Sequence, residues 1–157
     1  MHFKNNYSES LPPVWAACEI MSLGLFSRWY ANLKPKKTRS AIASVYNLDE
    51  SLLQSWLHHL AYVRNICAHH GRLWNREFTL TPQPPRSKPN KLINMFQRGS
   101  RRIYNSLLML LYLMDVIAPN HCWRDRLVNL LNQQSTWITQ AMDLPQNWQN
   151  LNIWKVT

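Results

Sequence analysis

Between Arg64 and Arg76 the chain reads RNICAHHGRLWNR, which gathers three arginines, two asparagines and an adjacent histidine pair into thirteen positions. These residue types suit a phosphodiester. A neutral imidazole with an ordinary pKa near neutrality takes a proton from a ribose 2′-hydroxyl, and a charged one returns a proton to the leaving 5′-oxygen. A guanidinium holds the non-bridging oxygens while charge builds on them. Arg64 with one or both of His69 and His70 is the candidate core of such a site, and Asn65, Arg72, Asn75 and Arg76 crowd beside them. No metal is called for: apart from Cys67, no carboxylate or thiol stands at ligand spacing from the histidine pair.

Each residue also has a plainer reading. Arg64 continues the helical spacing of Leu53, Leu57 and Leu60, so its guanidinium is expected on or near a packed face, where a buried charge must be paired. Glu19 is the candidate partner for such a salt bridge. Either histidine can cap a helix C-terminus, where the dipole favours a positive imidazolium. At about 100° per residue, Arg64 and His69 point well away from one another on an ideal helix. Convergence therefore requires the long arginine side chain, a relaxed helix end, or a second copy of the chain.

The elements around this segment read as helices. The chain has 157 residues, 46% hydrophobic and 11% aromatic, enough for one folded domain with a substantial core. Val14, Trp15, Cys18, Met21, Leu25, Trp29 and Leu33 recur at steps of three and four, predicting one helix over 14–33. A short helix is expected over about 38–46. Asn47 followed by Glu50 reads as a capping box that opens a helix through Leu53, Trp56, Leu60 and Val63 to Gly71. Four prolines in TLTPQPPRSKPN make 79–90 a loop. Helices are expected over 91–117, with Arg98, Arg101 and Arg102 near its start, and over 123–142. Residues 1–11 read as peripheral, and 143–157 as a tail whose Trp148 and Trp154 clamp the bundle. With three glycines and no strand alternation of any length, the expected class is all-α, a bundle of about five helices.

Charge narrows the partners. Of the net +10, the window 64–102 carries nine basic residues against a single acid, Glu77. Such an excess favours a polyanion, and RNA above a membrane surface, with Arg98, Arg101 and Arg102 adding to the phosphate-binding set. Three scattered cysteines make neither a disulfide framework nor a zinc site. Polar residues after Met1 and the shortness of the Leu107–Met114 apolar run predict a cytoplasmic protein without a membrane span.

RNICAHHGRLWNR resembles the signature of the Abi family of bacterial abortive-infection proteins, the AbiD/AbiF group within the HEPN superfamily. PPVWAACEIMSLG resembles that family's helix before the basic turn, SWLHHLAYVRNICAHH its central helix, and LPQNWQNLNIW its closing segment. The resemblance implies a single HEPN-like domain over 1–157, and a homodimer whose R-x4-6-H motifs form a metal-independent endoribonuclease site, with no cofactor. Carried onto this chain, the motif arginine is Arg64, the polar residue after it Asn65 and the motif histidine His69, while His70 also satisfies the spacing. The implied partners are RNA and a second copy of the chain, and an antitoxin or a companion RNA is compatible with a toxin of this kind. Family members carry a further region before the segment matching HFKNNYSES, so this chain is expected to be a C-terminal portion or a truncated member. A non-catalytic RNA-binding or regulatory module is the alternative function.

Overall fold

A computed structural model of the chain describes residues 11–155. The expected peripheral segment 1–11 lies outside the described residues except for Leu11, which is exposed. Eight α-helices are described: α1 (Val14–Ile20), α2 (Leu23–Asn32), α3 (Lys36–Val45), α4 (Glu50–Ala68), α5 (Asn90–Ile93), α6 (Tyr104–Ile117), α7 (Trp123–Asn132) and α8 (Thr136–Ala141), followed by two short 3-10 turns. No strand occurs among the described residues, and the class is all-α, as expected.

Two helices form the centre. α6 is buried on nearly every side from Tyr104 to Leu113, which its largely apolar sequence allows, with buried Asn105 and Ser106 hydrogen-bonded. α4 buries Leu52, Leu53, Trp56, His59, Val63 and Ile66, and sets the Trp56 ring edge-on to Tyr112 of α6 at 6.0 Å. α2 and α3 pack on α4. In the tail, Trp148 and Trp154 are buried, meet at 5.4 Å, and Trp154 stacks on Tyr104 at 6.2 Å.

Three expected helices are each broken, and in every case a side chain or an extended residue redirects the backbone. The helix expected over 14–33 stops at Met21, because Ser22 adopts an extended conformation and its hydroxyl accepts the Leu25 N–H at 3.2 Å as a new N-cap. The one expected over 91–117 is two helices. Between them, buried Asn105 donates to the Gln97 carbonyl and accepts from its N–H, at 2.8 and 2.9 Å, and Gly99 takes φ +81°, so the loop satisfies its polar groups without helical bonds. Arg98, Arg101 and Arg102 accordingly lie on this connection rather than on a helix. The helix expected over 123–142 divides at extended Ser135. The capping box is also displaced: Asn47 turns α3 off at φ +50°, and Asp49 occupies the N-cap position of α4 without a side-chain bond.

The proline-rich loop is laced to α4. Ser55 accepts the Gln83 N–H at 2.9 Å, Trp56 donates to the Gln83 carbonyl at 3.0 Å, His59 bonds the Leu80 carbonyl at 2.9 Å, and the Tyr62 hydroxyl oxygen accepts from Thr79. Spacings of one, three and four residues put all four on adjoining strips of one helix. The loop thus fixes α4, the element that carries the candidate site.

Candidate nucleic-acid interface at the end of the central helix

α4 closes with a Schellman turn. The Gly71 N–H donates to the Ile66 carbonyl at 2.8 Å and the His70 N–H to the Cys67 carbonyl at 3.0 Å, with His69 at the C-cap. The left-handed residue is His70, at φ +54°, whereas the sequence places the helix-ending role on Gly71. Gly71 is required for a different reason: a Cβ there would stand 2.6 Å from Ile66 Cγ2. A β-carbon in the left-handed region costs roughly 1–2 kcal/mol, less for histidine than for most residues. His70→Gly is therefore expected to stabilise the fold by about 1 kcal/mol, and Gly71→Ala to destabilise it by about 1–3 kcal/mol through overpacking. Urea unfolding midpoints moving in opposite directions check both.

Arg64 is exposed, contrary to its expected place on a packed face. The deepest line of α4 runs through Leu52, Trp56, His59, Val63 and Ile66, while Leu57 and Leu60 are half-buried and Arg64 continues their flank into solvent. Its guanidinium donates to the Asn65 side-chain oxygen at 3.3 Å. Glu19 is exposed on α1 and no ion pair joins it to Arg64, so the salt-bridge reading is set aside. A guanidinium that remains in water carries no burial penalty to offset.

Asn65, His69 and His70 are exposed as well, and neither imidazole ring bonds a helix carbonyl among the described residues. The histidines serve the helix end through their backbone. Their rings remain open to a ligand.

Six of the seven further candidates fall into two groups. Arg72, Arg76 and Arg98 are exposed, and the Arg72 guanidinium lies over the Trp74 ring, 5.9 Å from its centroid. Asn75, Arg101 and Arg102 instead staple the segment after α4 to the loop before α6. Arg102 donates to the Asn75 carbonyl and side-chain oxygen at 2.9 and 2.8 Å and pairs with Glu77 at 3.2 Å. Arg101 and Phe78 exchange bonds, the Phe78 N–H to the Arg101 carbonyl at 2.8 Å and Arg101 Nε to the Phe78 carbonyl at 2.9 Å. The remaining candidate, Glu19, stands apart on α1. Lys91 has a structural role too, joining His121 and Arg124 around Asp115.

Two contributors are not singled out by the sequence. His59, fully buried, bonds Leu80 on one nitrogen and the Ser106 hydroxyl on the other at 2.7 Å, tying α4, the proline-rich loop and α6 together. Its one sequence signal is a position on the Trp56–Val63 face. Trp137 of α8 meets Trp74 edge-on at 5.8 Å, a pairing of distant positions that no local spacing reveals.

Among the described residues no helix is long and apolar enough to cross a membrane, and no three His, Cys, Asp or Glu side chains gather as a metal site. No curated protein and no solved structure matches the chain. Residues 1–75 do match a family, described as Abi-like protein, and the matched segment runs through α4, the histidine pair and Asn75. Over that segment, just under half of its length, the chain is similar to the Abi-like family.

Proposed function

We propose that this chain serves abortive infection, the defence against phage with which Abi-like proteins are associated, by cutting RNA at a metal-independent site of the HEPN type. The observation that carries the reading is the placement of Arg64, Asn65, His69 and His70 together at one solvent-facing helix end, with the core making no use of their side chains. Residues kept at such a spot for packing would be inside. Arg72 and Arg76 add exposed positive charge near this end in sequence, and Arg98 a further exposed guanidinium, suited to phosphate contacts that supply affinity more than sequence choice.

In the proposed reaction His69 removes the proton of a ribose 2′-hydroxyl, whose oxygen attacks the adjacent phosphorus. The bond to the 5′-oxygen breaks, that oxygen takes up a proton from a second histidine, and the product ends in a 2′,3′-cyclic phosphate. Arg64 holds the non-bridging oxygens. Five residues of helix separate Arg64 from His69 by about 140° in direction, so two copies of the chain across a two-fold axis supply the complementary groups.

The test is incubation of the purified chain with single-stranded RNA in excess EDTA. Cleavage should continue undiminished and the product should carry a 2′,3′-cyclic phosphate. Activity that disappears with EDTA and returns with magnesium would rule the mechanism out. Salt-sensitive binding without product would leave an RNA-binding module in its place.

A further inference from the structure

We propose that the Trp137 indole, braced by Trp74, whose own ring lies under the Arg72 guanidinium, is a stacking platform for an unpaired base of single-stranded RNA. The inference rests on the RNA reading and names how the strand is gripped beyond the histidine end of α4.

Trp137 is 61% exposed, which is unusual for the largest apolar side chain in a protein whose Trp56, Trp148 and Trp154 are buried. It is held in place all the same. Trp74 meets it with rings 5.8 Å apart and 75° between their planes, an edge-on contact that can occupy only one of the two indole faces. Trp74 in turn is half-buried and has Arg72 over its ring at 5.9 Å. The result is an aromatic pair whose outer indole, Trp137, is largely open to solvent and whose inner one, Trp74, carries a cation over its ring, three residues along the chain from Gly71 at the end of α4.

Charge identifies the occupant. α8, TWITQA, holds no acid, and the Arg72–Trp74 segment belongs to the window with nine bases and one acid. Exposed aromatics interleaved with arginines bind single strands by stacking bases while the cations follow the phosphates. In a duplex the base faces are covered by their neighbours, so the platform selects unpaired RNA. Trp15, also strongly exposed, differs in setting: it is near exposed Leu11, Val14 and Ile20 in sequence, and among the described residues no arginine lies over its ring.

The probe is a short, fluorescently labelled, 2′-O-methylated single-stranded RNA, whose blocked nucleophile separates binding from cleavage, with duplex RNA of the same sequence beside it. Trp137→Ala should weaken the single strand by about tenfold, Trp137→Phe should keep most of the affinity, and duplex binding should stay unchanged in both. Near-normal thermal melts of both variants are expected, since Trp137 lies outside the core. Equal affinity of wild type and Trp137→Ala would overturn the platform while leaving the nuclease reading standing. So would a Trp137→Ala variant that loses self-association and keeps its RNA affinity, because the indole would then face protein. A wild-type chain that does not bind the single strand at all would overturn both.

Discussion

Arg64→Ala and His69→Ala should each lower RNA cleavage by at least about a hundredfold, the scale on which a general acid or base or one anion-holding donor contributes. Both side chains are exposed, so neither substitution removes core packing, and melting temperatures should stay within a few degrees of wild type. That separation is what the solvent-facing position offers. Had Arg64 been buried against Glu19, its loss would have left an unpaired carboxylate and a destabilised fold, and the two effects could not be told apart. Cleavage that persists in both variants, measured on labelled RNA with folding checked by circular dichroism, would remove the site.

The same two variants test whether the site is shared. If Arg64 of one copy works with His69 of another, either variant alone is inactive, but a refolded equal mixture should recover about a quarter of wild-type activity, because half the dimers are mixed and each has one intact site of two. A site built within one chain recovers nothing on mixing. His70→Gly separates the histidines further. If it remains active while gaining stability, His70 acts only as the left-handed residue of the turn. If it gains stability and loses activity, its ring belongs to the chemistry.

What the sequence makes legible follows from what is local. The all-α class and the course of α4 come from spacing within single segments, and they stand as expected. The break at Ser22 was hidden because apolar residues continue across it at helical spacing, and those at 94–103 and Ser135 because a short polar stretch is compatible with a helix, while the interruption comes from one polar side chain or one extended residue. Arg64 illustrates a subtler limit. Leu53–Leu57–Leu60–Arg64 and Trp56–His59–Val63–Ile66 are neighbouring strips with the same period, and which of them faces the centre depends on where α6 lies. The stapling of Asn75 by Arg102 and the meeting of Trp74 with Trp137 are long-range, so charge counting assigned the first to phosphate and passed over the second.

Acid should weaken the fold through His59. The Leu80 carbonyl can only accept, so the imidazole Nδ1 carries the proton and Nε2 accepts from the Ser106 hydroxyl, an arrangement that satisfies the neutral ring and has no place for a second proton. Burial foremost, with a smaller push from neighbouring His58, lowers the His59 pKa from 6.5 to about 4, although the Leu80 bond acts the other way. Between those two values the unfolded chain binds a proton at this position and the folded chain does not, so stability rises with pH across that window. His59 therefore contributes fully above about pH 6.5, and roughly 3 kcal/mol is lost as the pH falls to about 4 and below. Other groups titrate in the same range, so the measurement is a difference: urea unfolding of wild type and His59→Gln at pH 7.5 and at pH 4, since a glutamine amide can donate and accept but does not titrate. Wild type should be the more stable at pH 7.5, and its margin should shrink or reverse at pH 4. A margin that stays constant would mean that His59 is not the group protonated on acid unfolding. Because the same ring fastens the proline-rich loop and α6 to α4, its protonation should also loosen the helix that presents Arg64 and His69. RNA cleavage should then fall on the acid side along with stability, and His59→Gln should lessen that dependence.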